Sequence, residues 1–233
     1  MSKKQAKETQ TKAVGLITLT DPSSPVSEQY RTIRTNIQFA SSVDRRLQTM
    51  VVTSSGPGEG KSTTAANLAV VFAKSGQRVL LVDADMRKPT VFKTFQLNNA
   101  KGLSTVLSTS QNALEVCQPT VVENLHVLTS GPKPPNPSEL LGSQRMNQVI
   151  AELKQTYDMI IFDMPPVITV TDAQIMASKV DGTLLVIREN VTNKESIIKA
   201  KEALTLVKAH ILGTVYNGAT QAKDQGYYYY YIG

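Results

Sequence analysis

The chain has no tryptophan, one cysteine and two histidines among its 233 residues. With Cys117 alone no intrachain disulfide can form, a usage compatible with a reducing cytoplasm. His126 and His210 stand apart, without the spacing of metal ligands, which assigns them structural or exposed places. No apolar run approaches the ~18 residues that a transmembrane helix requires. The N-terminus lacks the apolar core of a signal peptide. Work at a membrane would then need another molecule to bring the chain there. Nor is there a helix-turn-helix, zinc-finger or RNA-binding signature, so the formal net charge of +6 does not point to nucleic acid. Part of that charge is Lys3, Lys4, Lys7 and Lys12, in a polar segment that reads as a solvated arm.

What is present fits one α/β domain, with an arm over residues 1–26 and a domain over 27–218. Ser27 is placed to cap a helix through Glu28, Tyr30, Ile33, Ile37 and Phe39, whose Ile33/Ile37 spacing gives one apolar stripe. Short β-rich apolar runs then alternate with helical patterns. Strands are expected at 49–53, 78–83, 125–128, 159–162, 183–187 and 212–216, with helices over 61–74, 144–155 and 194–209. Apolar strands alternating with helices predict a mostly parallel sheet, of P-loop NTPase type, covered by helices on both faces. Gly131-Pro132-Lys133-Pro134-Pro135-Asn136-Pro137 reads as a stiff loop within that domain.

The strongest chemical signal is Ser55-Gly56-Pro57-Gly58-Glu59-Gly60-Lys61-Ser62-Thr63, a Walker A loop between strand and helix, with Ser55 where the usual pattern begins with Gly. Glycines let backbone N–H groups turn inward and the helix N-terminus adds its dipole, so the loop cradles phosphate. Lys61 would reach the β and γ phosphates of ATP, the Ser62 hydroxyl would ligate Mg²⁺, and Thr63 follows near the α phosphate. The second strand ends in Asp83-Ala84-Asp85-Met86-Arg87-Lys88-Pro89. Positions i and i+2 of an extended chain share a side, so Asp83 and Asp85 project together, and a cation between them would relieve their repulsion. A third strand ends in Ile160-Ile161-Phe162-Asp163, a Walker B pattern with Asp163 toward magnesium. Arg87 and Lys88 either touch phosphate and tune Asp85 or form a loop-stabilising ion pair.

These elements together resemble the bacterial tyrosine kinases of capsule and exopolysaccharide synthesis, in the deviant-Walker branch of P-loop ATPases. The resemblance runs from Ser27 to the C-terminus. It takes in the three Walker elements, Leu128-Thr129-Ser130-Gly131-Pro132, Pro134-Pro135-Asn136-Pro137-Ser138-Glu139-Leu140, and a terminal tyrosine block. It implies that Asp83 helps activate an attacking phenol while Asp85 and Asp163 hold Mg²⁺. It implies that Glu28, Arg31 and Arg34 build a ring of subunits, although the same residues at i, i+3 spacing also make an ordinary solvated helix face. Asn217 becomes an adenine contact or, equally, a turn residue. Further implications are a membrane adaptor whose cytoplasmic tail activates the kinase, a cognate phosphotyrosine phosphatase, and a cytoplasmic place beneath the membrane.

Five of the eight tyrosines form one block, Tyr227, Tyr228, Tyr229, Tyr230 and Tyr231, in a tail over 219–233. A block at an exposed end has little core to fill, which makes these residues phosphoacceptors in the resemblance. From Asn217 to Tyr227 is ten residues, a reach of roughly 35 Å at full extension, so transfer between subunits is feasible. Two other classes stay open: a partition or positioning ATPase of the same branch, and a non-catalytic scaffold that binds nucleotide. Gly56 stands where partition and division ATPases carry a signature lysine, which disfavours the first. The intact Asp83, Asp85 and Asp163 disfavour the second.

Overall fold

The computed structural model describes residues 12–40 and 47–219. The chain opens with a one-turn helix α1 (Ile17–Thr20) and the longer α2 (Pro25–Ala40). Strand β1 (Thr49–Ser54), helix α3 (Lys61–Ala73) and strand β2 (Val79–Asp83) follow. Short helices α4 (Val91–Thr94), α5 (Leu103–Ser108) and α6 (Ala113–Val116) lead to β3 (Gln118–Pro119) and β4 (Leu125–Leu128). Then come α7 (Pro137–Gly142), α8 (Gln144–Lys154), β5 (Met159–Asp163), α9 (Asp172–Ala177), β6 (Gly182–Arg188), α10 (Lys194–Leu206) and β7 (Ile211–Asn217).

The seven strands form one sheet in the order β3-β4-β2-β5-β1-β6-β7. Every pairing is parallel except that of β3 with β4. Side chains of a strand alternate between faces, and the core divides accordingly. Val51, Leu80, Val82, Ile160 and Phe162 point to a layer made by α5 to α10. Their neighbours Met50, Val52, Leu81, Met159 and Ile161 point to a layer made by α3, Tyr30 and Ile37. Helix α3 is buried almost all round, because α1 and α2 cover the side that faces away from the sheet. The expected strands and long helices occur in these places, each shifted by at most a few residues. The two-residue β3 was not legible, being too short to carry a pattern.

Two expectations near the N-terminus need correction. Residues 12–26 are not a free arm. Val14, Leu16, Ile17 and Leu19 pack against the α3 layer, and Asn67 of α3 accepts hydrogen bonds from both the backbone and the hydroxyl of Thr18, at 3.0 and 2.8 Å. Ser27 is not a cap either. It lies inside α2, buried, and donates to the carbonyl oxygen of Asp21 at 2.7 Å. The capping oxygen is that of Ser24, which accepts the Ser27 N–H at 3.1 Å just ahead of Pro25 at the first helical position. The two histidines are structural: His126 Nδ1 lies 3.1 Å from the Tyr157 hydroxyl, and His210 Nδ1 lies 2.9 Å from the Asp181 carbonyl.

Candidate active site

β1, β2 and β5 lie side by side, and their C-terminal ends carry the phosphate loop, Asp83 and Asp163. The crevice beyond the strand ends is the general ligand position of an open parallel sheet. A cleft of about 360 Å³ occupies it, lined by Pro57, Gly58, Lys61, Ser62, Thr63 and Asp85 among others. That volume is in the range of small-molecule sites.

The loop holds its shape from within and from the side. Gly58 and Gly60 have φ of +77° and +100°, the left-handed region that glycine tolerates. A Cβ on Gly60 would meet Asn217 Nδ2 at 2.0 Å, so that residue must be glycine while Asn217 stays in place. Glu59 turns inward, buried, and accepts from the backbone N–H and the hydroxyl of Ser55 at 2.9 and 2.7 Å. Its contribution is to pin the loop from inside. From the sheet edge, Asn217 donates to the Glu59 carbonyl at 3.0 Å, and Arg188 donates to the Gly58 carbonyl at 2.9 Å. Arg188 and Asn217 are register partners on β6 and β7. Holding those carbonyls outward leaves the N–H groups of the loop to face phosphate. Arg188 carried no signal in the sequence, because its use depends on β6 ending beside the loop. Asn217 is neither a simple turn residue nor, in this conformation, turned to the cleft with its amide nitrogen.

Lys61 Nζ lies 2.9 Å from Asp85 and 3.6 Å from Asp163. Burial works against its charge, but Asp163 and Asp85 together outweigh that and raise its pKa to about 12. Asp83 and Asp85 do not share the cleft equally. Asp85 lines it, whereas Asp83 is fully buried beneath, its Oδ2 accepting the N–H groups of Thr90 and Val91 at 3.1 and 2.9 Å. Burial, then the charge of Asp163, raises the Asp83 pKa well above the ordinary carboxylate value. Burial also raises Asp163, with Lys61 pulling the other way.

Whether these residues suit Mg²⁺ can be judged from their oxygens. Both oxygens of Asp163 and Oδ1 of Asp83 are buried without a hydrogen-bond partner among the described residues. Buried acceptors of that kind call for a cation or its waters. Lys61 is the only cation within salt-bridge distance of Asp163 among the described residues. Among the described residues no group of three or more His, Cys, Asp or Glu side chains could hold a metal alone. Mg²⁺ in phosphate sites takes only one or two carboxylates and completes its shell with phosphate and water. The donor set of Ser62, Asp85 and Asp163 fits that pattern.

Arg87 stands in the second of its two sequence readings. Its guanidinium grips Asp172 through Nε and Nη2, both at 2.9 Å. Lys88, not Arg87, lines the cleft. On α2, Glu28 and Arg31 form an ion pair with each other, and Arg34 donates to the Val71 carbonyl at 3.1 Å. Tyr227 to Tyr231 lie outside the described residues. No helix among the described residues is long and apolar enough to cross a membrane.

Known proteins share this arrangement and much of the sequence. The AAA domain family matches residues 47–211. Tyrosine-protein kinase YwqD of Bacillus subtilis (strain 168) is 53% identical over 215 residues, which cover 92% of this chain and 90% of that one. The structure is similar to the kinase domain of Escherichia coli tyrosine kinase ETK, with a TM-score of 0.85 and 30% identity over 97% of this chain and 89% of the other. It is also similar to the chimerical protein CapA2B2, with a TM-score of 0.82 and 42% identity over 89% and 92%. A partition or positioning ATPase is accordingly the less supported reading. With a phosphate loop, three buried acids around one lysine, and likeness along nine-tenths of a tyrosine kinase, the chain belongs to the bacterial tyrosine-protein kinases.

Proposed function

We propose that this kinase transfers the γ-phosphoryl group of ATP to its own C-terminal tyrosines, Tyr227 to Tyr231, from one subunit to another, and so regulates capsule or exopolysaccharide synthesis. The observation that carries the proposal is the cluster around Lys61 of Asp85, which lines the cleft, and of Asp83 and Asp163, buried beneath it. When ATP enters, the loop N–H groups receive its phosphates and Lys61 exchanges Asp85 for a phosphate oxygen. Bound Mg²⁺, held by Ser62, Asp85 and Asp163, would supply charge neutralisation on the β and γ phosphates. The phenol oxygen of an incoming tyrosine forms the new bond to phosphorus, the bond from phosphorus to the β–γ bridging oxygen breaks, and ADP leaves. The phenolic proton passes to a carboxylate. A free phenol has a pKa of about 10, so an acceptor raised above the ordinary carboxylate range, as Asp83 is, serves better than an unperturbed one. Asn217 and Arg188 keep the loop in its phosphate-binding shape, which is a role in nucleotide binding.

The helix α2 motif suits assembly of a ring: Glu28 is exposed and pairs with Arg31 at the surface of the helix. A membrane adaptor, engaging through its cytoplasmic tail, would place the kinase under the cell membrane; the chimeric character of CapA2B2 fits a two-component kinase of this sort. A phosphotyrosine phosphatase would reverse the modification.

The decisive experiment uses γ-labelled ATP and Mg²⁺, with label mapped by mass spectrometry. Phosphate on Tyr227 to Tyr231, absent in Lys61→Met, is the expected result. Release of free phosphate with no tyrosine label would sink the proposal.

A further inference from the structure

The turn that carries Asp85 and the loop that follows Asp163 are tied together by residues that do not line the cleft. Arg87 is two residues beyond Asp85, and Asp172 is the first residue of α9, nine residues beyond Asp163. Asp172 is fully buried. Its carboxylate accepts Arg87 Nε and Nη2 at 2.9 Å each and the Ser138 hydroxyl at 2.6 Å. Arg87 Nη2 also lies 3.1 Å from the Ser138 oxygen. Ser138 sits in the first turn of α7, within the Pro-Asn-Pro-Ser-Glu-Leu segment that the nucleotide chemistry leaves unused. A two-pronged guanidinium–carboxylate pair fixes orientation as well as distance.

The turn is held at other points too: Asp83 Oδ2 accepts the Thr90 and Val91 N–H groups at 3.1 and 2.9 Å, and Lys61 pairs with Asp85 at 2.9 Å. Asp85 accepts the Lys88 N–H at 3.0 Å, Met86 is buried, and Ala84 donates to the Asp163 carbonyl at 3.0 Å. Arg87 adds the contact that ties this turn to α9 and α7, beyond the loop that follows Asp163. We infer that Arg87, Asp172 and Ser138 form a clamp that sets the spacing of Asp85 and Asp163, and through it the affinity for Mg²⁺, without touching nucleotide. Arg87 and Asp172 are then positioning residues. The inference rests on the reading of Asp85 and Asp163 as the metal carboxylates.

The test is a Mg²⁺ titration of the full chain with ADP, followed by thermal shift and by fluorescence of a mant-labelled ADP, beside the Mg²⁺ dependence of autophosphorylation. Arg87→Ala strands a buried carboxylate and risks the fold. The double variant Arg87→Met/Asp172→Leu replaces the pair with apolar side chains of similar size, which proteins commonly accept. Partners that act one step behind a metal ligand typically matter by 10–100-fold, so a rise of about tenfold in half-saturating Mg²⁺ is expected, with metal-free ADP binding within about twofold. Ser138→Ala shifts the same quantity less and in the same direction. Saturating Mg²⁺ restores most of the rate. An unchanged half-saturation in the folded double variant, while Asp85→Asn loses the Mg²⁺ response, overturns the clamp alone. A Mg²⁺ response that survives Asp85→Asn and Asp163→Asn overturns the metal reading, and the clamp with it.

Discussion

Asp163, in its proposed role of holding Mg²⁺, shows how a buried carboxylate burdens the fold that carries it. It is fully buried, and among the described residues both its oxygens lack a hydrogen-bond partner and Lys61, at 3.6 Å, is the cation within salt-bridge distance. Burial raises its pKa and that of Asp83. For an acid whose folded pKa is raised, the protonated form is favoured in the folded state. The stability it contributes is fully present below the unfolded carboxylate pKa and is lost as pH rises through the raised folded value. The nucleotide-free kinase should therefore lose stability on that rise, part of it owed to Asp83 and Asp163. Asp163→Asn should flatten the curve and raise the Tm at neutral pH, since Lys61 retains Asp85 at 2.9 Å. A chain of this size gains about 2–4 °C for each kcal/mol of relief. The same variant should lose Mg²⁺-dependent tyrosine labelling. Thermal unfolding in chelator from acid to neutral pH checks the first half. A lower Tm for Asp163→Asn would show that the buried carboxylate stabilises the apo fold after all.

At the scale of elements, the central strands were legible because each is a short, continuous apolar run ending in a chemically marked residue. Asp83, Asp163 and the phosphate loop follow such runs directly, so their convergence needed only the sheet order. What stayed hidden depends on partners far apart in sequence. Arg87 and Asp172 are 85 positions apart, and Arg188 reaches Gly58 across 130. The short α1 is hard to read in the sequence because a single turn, Ile17–Thr20, is too short to establish a helical period, and it follows a polar segment rich in lysine. Its anchor is Asn67, a buried polar side chain that holds Thr18 on one side and donates to the Gly15 and Thr63 carbonyls at 2.9 Å each. Asn67→Ala leaves those groups without their partner, and a loss of about 1–3 kcal/mol is expected from the stranded hydrogen bonds. Urea unfolding monitors it. An unchanged midpoint would mean that apolar packing alone holds α1 against α3.

At the scale of the whole molecule, the proposed transfer to the C-terminal tyrosines would change the charge that subunits bring to an assembly. Strand β7 ends at Asn217, the residue that braces the phosphate loop. Full phosphorylation of five tyrosines, at about −1.5 to −2 charges each, would carry the formal charge from +6 to roughly −2 to −4. Tails gathered in one ring would then repel, whereas unmodified tails bring little charge of their own. Ring contacts of the proposed kind would involve Glu28, Arg31 and Arg34 on α2. Sedimentation with nucleotide separates these contributions. Protein with Tyr227 to Tyr231 all changed to Phe should remain in the large species. Fully phosphorylated protein should move to the small species, as should the Arg31→Ala/Arg34→Ala variant whatever its modification. Added salt should partly restore the phosphorylated ring, because repulsion between exposed charges is screened within about 8–10 Å at physiological ionic strength. Identical sedimentation of the phosphorylated and Phe forms would separate tail chemistry from assembly.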